Sequence, residues 1–270
     1  MAGAPTFKAV EHAGWNERAG VYDDITAIIT NYGIEPLLDA AGIAAGQRVL
    51  DVCCGTGLVA KPAAARGATV TAIDIAEDMI AAARAKGLAC DFRVGDAEAL
   101  SFADATFDRV ISNFGHYHLP DPDKAIAEAS RVLRRGGRYA FTTWCGPEVS
   151  PLFRAVPEAI KVYGKLDVGL PPSPPPFRLA DRGESERALR AAGFTDIRFA
   201  DFTAVLEWPL STVLDFIEKG MVRASMLLLA QTLEVRERVR AAVVREFAPF
   251  ASGDAMRLPM PAIVVAGTKV

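Results

Sequence analysis

Five apolar runs, at 48–52, 69–73, 91–94, 107–112 and 138–144, recur between Arg48 and Cys145, with helical patterns between most of them. Nothing else in the chain restricts its fold so far. Strands separated by helices build a parallel sheet with both faces covered, so its strands are apolar throughout rather than on one side. At 270 residues and 51% hydrophobic content, the chain can bury the core of one such α/β domain plus an elaboration.

The first strand ends in the most informative segment, Val49-Leu50-Asp51-Val52-Cys53-Cys54-Gly55-Thr56-Gly57. It reads as a buried strand that runs into a carboxylate and then breaks into a glycine turn. Gly55 and Gly57 permit a sharp turn and close approach to a ligand. Thr56 opens an Ala-rich helix over 58–66, whose first N–H groups have no helical partner; Pro62 falls near its first turn. Strand, turn and helix N-terminus together make a cofactor site. Gly55-Thr56-Gly57-Leu58-Val59-Ala60 matches the G-x-G-x-x-G/A dinucleotide pattern, so an NAD-dependent oxidoreductase is one reading. Asp51 favours another. Beneath the turn it would repel a pyrophosphate and welcome a cation, and S-adenosylmethionine carries both an ammonium and a sulfonium.

The second strand ends in Asp74, roughly twenty residues on, which suits ribose hydroxyls with either cofactor. The third leads into Gly95-Asp96-Ala97, where a carboxylate can accept from the exocyclic amine of adenine. Ile75 and Met79 are placed to frame the adenine ring. The plainer readings are a helix N-cap for Asp74, a turn residue for Asp96, and helix core for Ile75 and Met79.

Five segments carry a family resemblance, in the family's order over 15–145: "WNERAGVYDD", "VLDVCCGTG", "TAIDIAEDM", "FRVGDAEALSF" and "FDRVISNFGHYHLPDPDKAIAEASRVLRRGGRYAFTTW". The chain resembles a class I S-adenosylmethionine-dependent methyltransferase, of the subgroup similar to the ubiquinone/menaquinone-biosynthesis enzymes. One position departs, Cys53, where the family usually has glycine. The resemblance implies a doubly wound, seven-stranded, mostly parallel sheet of order 3-2-1-4-5-7-6 with an antiparallel last strand. It also implies S-adenosylmethionine as cofactor and a small-molecule methyl acceptor. Cys53, Gly55, Thr56 and Gly57 would then contact the cofactor, with Asp51 toward its ammonium. Asn113 and Phe114 would lie beside the methionine half, and His118 aligns with a histidine common in the subgroup. The family's N-terminal segment folds over the cofactor, which makes Tyr22 a lid residue, with Trp15 nearby. The chain lacks the Asn-Pro-Pro-aromatic element of enzymes that methylate the amino groups of adenine or glutamine.

His116 and His118 share the loop after the fourth strand, out of three histidines in the chain. In an extended stretch they would point the same way. A neutral histidine can take a proton from a substrate hydroxyl, so both are candidate catalytic bases; the plainer reading is cofactor hydrogen bonding or helix capping.

Composition closes off other classes. A formal net charge of −3 offers no basic excess for nucleic acid. No apolar run reaches membrane-spanning length, and the first residues lack a signal peptide's charged and apolar regions, so a cytoplasmic protein is expected. Cys53, Cys54, Cys90 and Cys145 show neither C-x-x-C nor Cys/His spacing, which predicts buried free thiols and no metal.

The remaining segments predict an organisation: lid helices over 1–45, with Val21, Ile25, Ile28 and Ile29 at helical spacing, and a core over 46–208 and 260–270. An irregular Pro-rich insertion covers 146–180, with a semi-rigid "PPSPPP" at 171–176, and a helical cap covers 209–259. Met221, Met226 and the leucines at 227–229 crowd one cap helix, Phe216 and Ile217 lie just before it, and Met256 and Met260 follow. Helix packing accounts for most of them, yet so apolar a cap favours an apolar or aromatic acceptor. Methyl transfer from a sulfonium is an in-line displacement, to which positioning contributes roughly 7–11 kcal/mol. A cofactor-binding protein without catalysis is the reading of another class.

Overall fold

The computed structural model describes residues 5–270. Its strands are β1 (Arg48–Val52), β2 (Thr69–Asp74), β3 (Asp91–Val94), β4 (Phe107–Asn113), β5 (Leu133–Trp144), β6 (Phe194–Pro209), β7 (Ala251–Ser252) and β8 (Ala255–Lys269). They form one sheet ordered β3-β2-β1-β4-β5-β8-β6, with the two-residue β7 paired to β8 alone. Strands β1 to β5 are parallel, and β8 runs antiparallel between β5 and β6. The order is the expected one; only the extra short strand shifts the last label. Strand order reverses between β1 and β4, and the crevice beyond the carboxyl ends there is where such sheets bind ligands.

Both faces of the sheet are covered because successive side chains of a strand point to opposite sides. Val49 of β1 joins Leu37, Leu38, Ala60 and Ile80, contributed by the helices Ile34–Ala41, Ala60–Ala65 and Glu77–Ala85. Its neighbour Leu50 joins Ile126, Leu133, Phe141 and Leu189, packed by Pro122–Val132 and Arg182–Ala191. The helix after the glycine turn begins at Ala60 rather than at 58, because 55–59 are still turning.

A third core lies above the sheet's edge. β8 starts at Ala255, well before the final run of apolar residues, and pairs with β6 out to Pro209↔Ala255, whereas its pairing with β5 stops at Trp144↔Ala262. The stretch 255–260 therefore leaves β5 and forms a ribbon with 204–209, with β7 alongside at Ala255 and Met256. Met256, Leu258 and Met260 are fully buried on one side of it, while Arg257 points out. The ribbon packs with the helices Pro151–Tyr163, Val213–Gly220, Val222–Leu229 and Leu233–Phe247. Met256, expected within the helical cap over 209–259, thus sits on a strand with Met260. The N-terminal helix, Phe7–Arg18, is capped by Thr6, whose hydroxyl accepts from the Ala9 N–H. Turns follow it, so Val21 lies outside any helical stripe and is 38% exposed. No helix among the described residues is long and apolar enough to cross a membrane.

Candidate active site

A cavity opens at the carboxyl ends of β1 to β5, under the N-terminal helix and beside the apolar cap. One half is lined by Cys53, Gly55, Asp74, Ile75, Met79, Asp96 and Ala97, the other by Ile29, Phe114, Tyr117, Trp144, Phe153, Phe216 and Met221. Asn113 and His118 line it too, and Tyr22 lies against the glycine turn: a Cβ added at Gly55 would stand 3.7 Å from the Tyr22 ring.

Asp74 is held by the turn it faces. One carboxylate oxygen accepts from the Gly55 N–H and the other from the Ala76 N–H, both at 2.9 Å. Burial raises its pKa while these backbone donors oppose the rise. The carboxylate therefore organises the turn and, with its remaining lone pairs, faces the cavity. Asp96 has a different partner set. Lys8 reaches it from the N-terminal helix at 2.6 Å, and its other oxygen accepts from the Glu98 N–H at 2.9 Å. Its pKa is lowered: burial opposes the change, but the Lys8 ammonium and the Glu98 N–H outweigh it.

Asp51 is fully buried, and neither carboxylate oxygen has a hydrogen-bond partner. Burial, and then the nearby Asp74 charge, push its pKa up to about 8. It is not on the cavity wall. An unpartnered buried carboxylate is costly and points to a positive group supplied from outside the chain. Together with the open space above Gly55, it suits a cationic adenosyl cofactor.

Cys53 takes the left-handed backbone conformation, φ +58°, that glycine adopts without cost. Its side chain is accommodated by Gly115, where a Cβ would lie 2.6 Å from the Cys53 Cβ. The departure from the resembled motif is thus matched by a glycine on the opposite wall. Phe114, also left-handed at φ +57°, stacks on Trp144 with centroids 3.8 Å apart. Asn113 ties three elements together: its amide donates to the Thr30 carbonyl at 3.0 Å, and its oxygen accepts from the Thr142 hydroxyl at 2.6 Å.

Four expected positions sit elsewhere. The Thr56 hydroxyl donates to Asp23 at 2.5 Å, and Lys86 bonds both Asp23 and the Thr56 carbonyl, so this threonine latches the N-terminal segment rather than facing the cavity. Gly57 is a packing glycine, where a Cβ would stand 2.7 Å from the Phe92 ring. Asp51 lies off the wall, as described. His116 is the fourth. Residues 116–118 form a 3-10 turn rather than a strand, so the two histidines diverge. His116 is buried, with Nε2 2.5 Å from the Tyr139 hydroxyl, and it lines a separate small cleft with Pro174, Pro175 and Pro176. Burial, with the Arg178 charge adding, lowers its pKa to about 3. A base with so little proton affinity and no access to the cavity cannot serve there, and His118 alone remains.

Lys8, Glu11, Tyr117, Trp144, Phe153 and Arg223 also line the cavity, and sequence reasoning singled out none of them. For Glu11 a signal existed. Phe7, Glu11 and Trp15 are spaced by four and share one helix face. Arg223 gave no such sign.

Comparison with known proteins bears on the family. The model of the methyltransferase domain matches residues 50–141. A demethylmenaquinone methyltransferase of Renibacterium salmoninarum is 41% identical over 120 residues, 44% of this chain and 50% of the relative. The chain thus spans about half the length of that relative. A second protein of that name, from Paenarthrobacter aurescens, is 32% identical over 176 residues, covering 62% of this chain and 70% of the relative. Among solved structures, a Bacillus halodurans protein assigned as a methyltransferase superposes with a TM-score of 0.58 at 22% identity, covering 87% of this chain and 98% of its own. The cyclase SpnF does so at 0.58 and 21%, covering 100% and 98%. At these identities the two structures establish the fold alone. The sequence relatives go further, and S-adenosylmethionine is the cofactor they indicate. The chain belongs to the class I S-adenosylmethionine-dependent methyltransferases, alongside the menaquinone-biosynthesis enzymes.

Proposed function

We propose that this chain transfers the methyl group of S-adenosylmethionine to a small aromatic acceptor bearing a ring hydroxyl, of the quinol type. The observation that carries this reading is the composition of the cavity at the strand ends: acidic and turn-lined at one end, walled by Phe114, Trp144, Phe153 and Phe216 at the other. Flat aromatic walls favour a flat ring. The two relatives named for demethylmenaquinone agree with such an acceptor. Ile75 and Met79 flank the adenine, Asp74 takes the ribose and Asp96 with Ala97 the adenine edge. Asp51 balances the ammonium through water, while Asn113 and Phe114 border the methionine half. The N-terminal segment, with Tyr22, acts as a lid, and the ribbon and helices beyond Pro209 as a cap.

When bound, the cofactor supplies a methyl carbon already activated by its sulfonium. The chain's contribution is position and dryness, worth on the order of 7–11 kcal/mol. His118 takes the acceptor's hydroxyl proton; the electron density released on the ring or its oxygen forms the new bond to carbon, and the carbon–sulfur electron pair stays on sulfur. A net charge of −3 agrees with a small-molecule acceptor rather than nucleic acid, and four free cysteines with a reducing, cytoplasmic setting.

The test is anaerobic incubation with methyl-labelled S-adenosylmethionine and chemically reduced 1,4-naphthoquinone, alongside calorimetric titration with S-adenosylhomocysteine and NADH. Label in the ring product with binding of S-adenosylhomocysteine alone is expected. Binding of NADH instead would return the oxidoreductase reading. Cofactor binding with no label in any ring-hydroxyl acceptor would leave a binding protein without catalysis.

A further inference from the structure

The N-terminal helix Phe7–Arg18 reaches into the cavity through Glu11, which is only 3% exposed. Its Oε2 lies 2.8 Å from His118 Nδ1, and its Oε1 is buried without a partner. One turn further along the same face, Trp15 packs edge-on against the His118 ring at 4.8 Å. The helix therefore grips one imidazole by a carboxylate and by an indole. Polar contacts anchor the helix over the sheet: Lys8 to Asp96 and Glu98, His12 to Glu77, and the Asn16 side chain to the Asp78 N–H.

We infer that Glu11 is a positioning residue that makes His118 the base, and that docking of the N-terminal helix completes the catalytic group. An ionised carboxylate only accepts hydrogen bonds, so the His118 proton must sit on Nδ1 and the lone pair on Nε2. Nε2 has no protein partner among the described residues, and His118 lines the cavity. The proton then moves from the acceptor's hydroxyl to Nε2, giving an imidazolium whose charge Glu11 stabilises without being protonated itself. A buried, half-satisfied carboxylate is a poor choice for packing alone, since it leaves a desolvated acceptor atom uncompensated. This inference rests on the proposed hydroxyl acceptor for its chemistry but not for its geometry.

The experiment uses the full chain labelled with 15N-histidine and saturated with S-adenosylhomocysteine; with three histidines in the chain, His12→Gln and His116→Gln assign the signals. His118 should be the Nδ1–H tautomer in the wild type and in Glu11→Gln, whose amide oxygen can still accept, and mainly Nε2–H in Glu11→Ala. With reduced 1,4-naphthoquinone, kcat should fall about tenfold in Glu11→Gln and about a hundredfold in Glu11→Ala. The KM for the acceptor and the Kd for S-adenosylhomocysteine should stay within about threefold. An Nε2–H tautomer in the wild type, or unchanged kcat in Glu11→Gln, overturns the assignment. Should Glu11→Ala fail to fold, Glu11→Gln still decides between a structural and a positioning role. If the wild type leaves this acceptor unlabelled, the proposed acceptor falls, while the tautomer measurement continues to test the pair.

Discussion

The two halves of the cavity are built from different materials. In the cofactor half, the polar groups are fixed by backbone, with Asp74 held between the Gly55 and Ala76 N–H groups at the ends of neighbouring strands. In the acceptor half, the wall is side chain on side chain, from Ile29 through the Phe114–Trp144 stack to Phe216 and Met221. The cofactor half can change little without breaking the sheet's own turns. The acceptor half can be repacked while the sheet stands. A fold of this kind can keep one cofactor and exchange its acceptors.

Substitutions confined to one half should leave the other untouched, and the largest effects belong to the glycine turn. Gly55→Val should abolish binding of S-adenosylhomocysteine, because a β-branched side chain resists φ +52° and would fill the space facing Tyr22. Asp74→Ala should weaken that binding about tenfold or more, since a hydrogen bond to a charged group is worth roughly 1.5–3 kcal/mol. Calorimetry measures both. Retained affinity in either variant would break the comparison at its stronger end.

The mirror experiment is Trp144→Leu. Removing the ring stacked on Phe114 should raise the acceptor KM about tenfold, with the Kd for S-adenosylhomocysteine unchanged within about twofold. Steady-state kinetics with the reduced naphthoquinone reads the first quantity, and calorimetry the second. A large loss of cofactor affinity would show that the halves are mechanically one.

Asp51 sharpens the comparison through pH. Its folded-state pKa, about 8, is raised above its unfolded value, so the neutral form is the one the empty fold prefers. That stability is fully present below about pH 4 and is lost as pH rises toward about 8, by roughly 1.4 kcal/mol per pH unit at most. Cofactor binding should run the other way, tightening as pH rises through 8 and the carboxylate ionises opposite the ammonium. Asp51→Asn should flatten both profiles and raise the melting temperature of the unliganded protein at pH 9. A pH-independent Kd in the wild type would count against the ammonium contact.

The smallest effect is expected at His116. His116→Gln should change turnover by less than about twofold and cost about 1 kcal/mol of stability, through its hydrogen bond to Tyr139. A large fall in kcat with intact stability would restore it as a base.

Adjacent chain positions could be read directly because their physics is local. The ends of β1 and β3 and the carboxylates that follow the first three strands lie in segments where apolar runs and glycine turns report on near neighbours, whereas the expected sheet order came with the family resemblance. Periodicity misled where the chain leaves regular geometry: a 3-10 turn sent His116 and His118 to different sides, and a continuing turn moved the start of the helix to Ala60. The early part of β8 carries Pro259 and Pro261, residues unusual within a strand. They are tolerated because, two residues apart, their missing N–H groups face the same side, beyond the end of β5 and away from β6.

The sequence by itself determined the alternation of strands and helices and the carboxylate-and-glycine turn of a cofactor site, since these follow from short segments with a clear hydrophobic period and turn chemistry. The strand order and the choice of S-adenosylmethionine over a dinucleotide came with the family resemblance those segments carry. Tertiary structure alone decided which histidine meets the cavity, what holds it, and what walls the acceptor. Those contacts join residues as distant as Glu11 and His118, or Arg223 and Phe7, and they depend on which faces come together when separate elements pack.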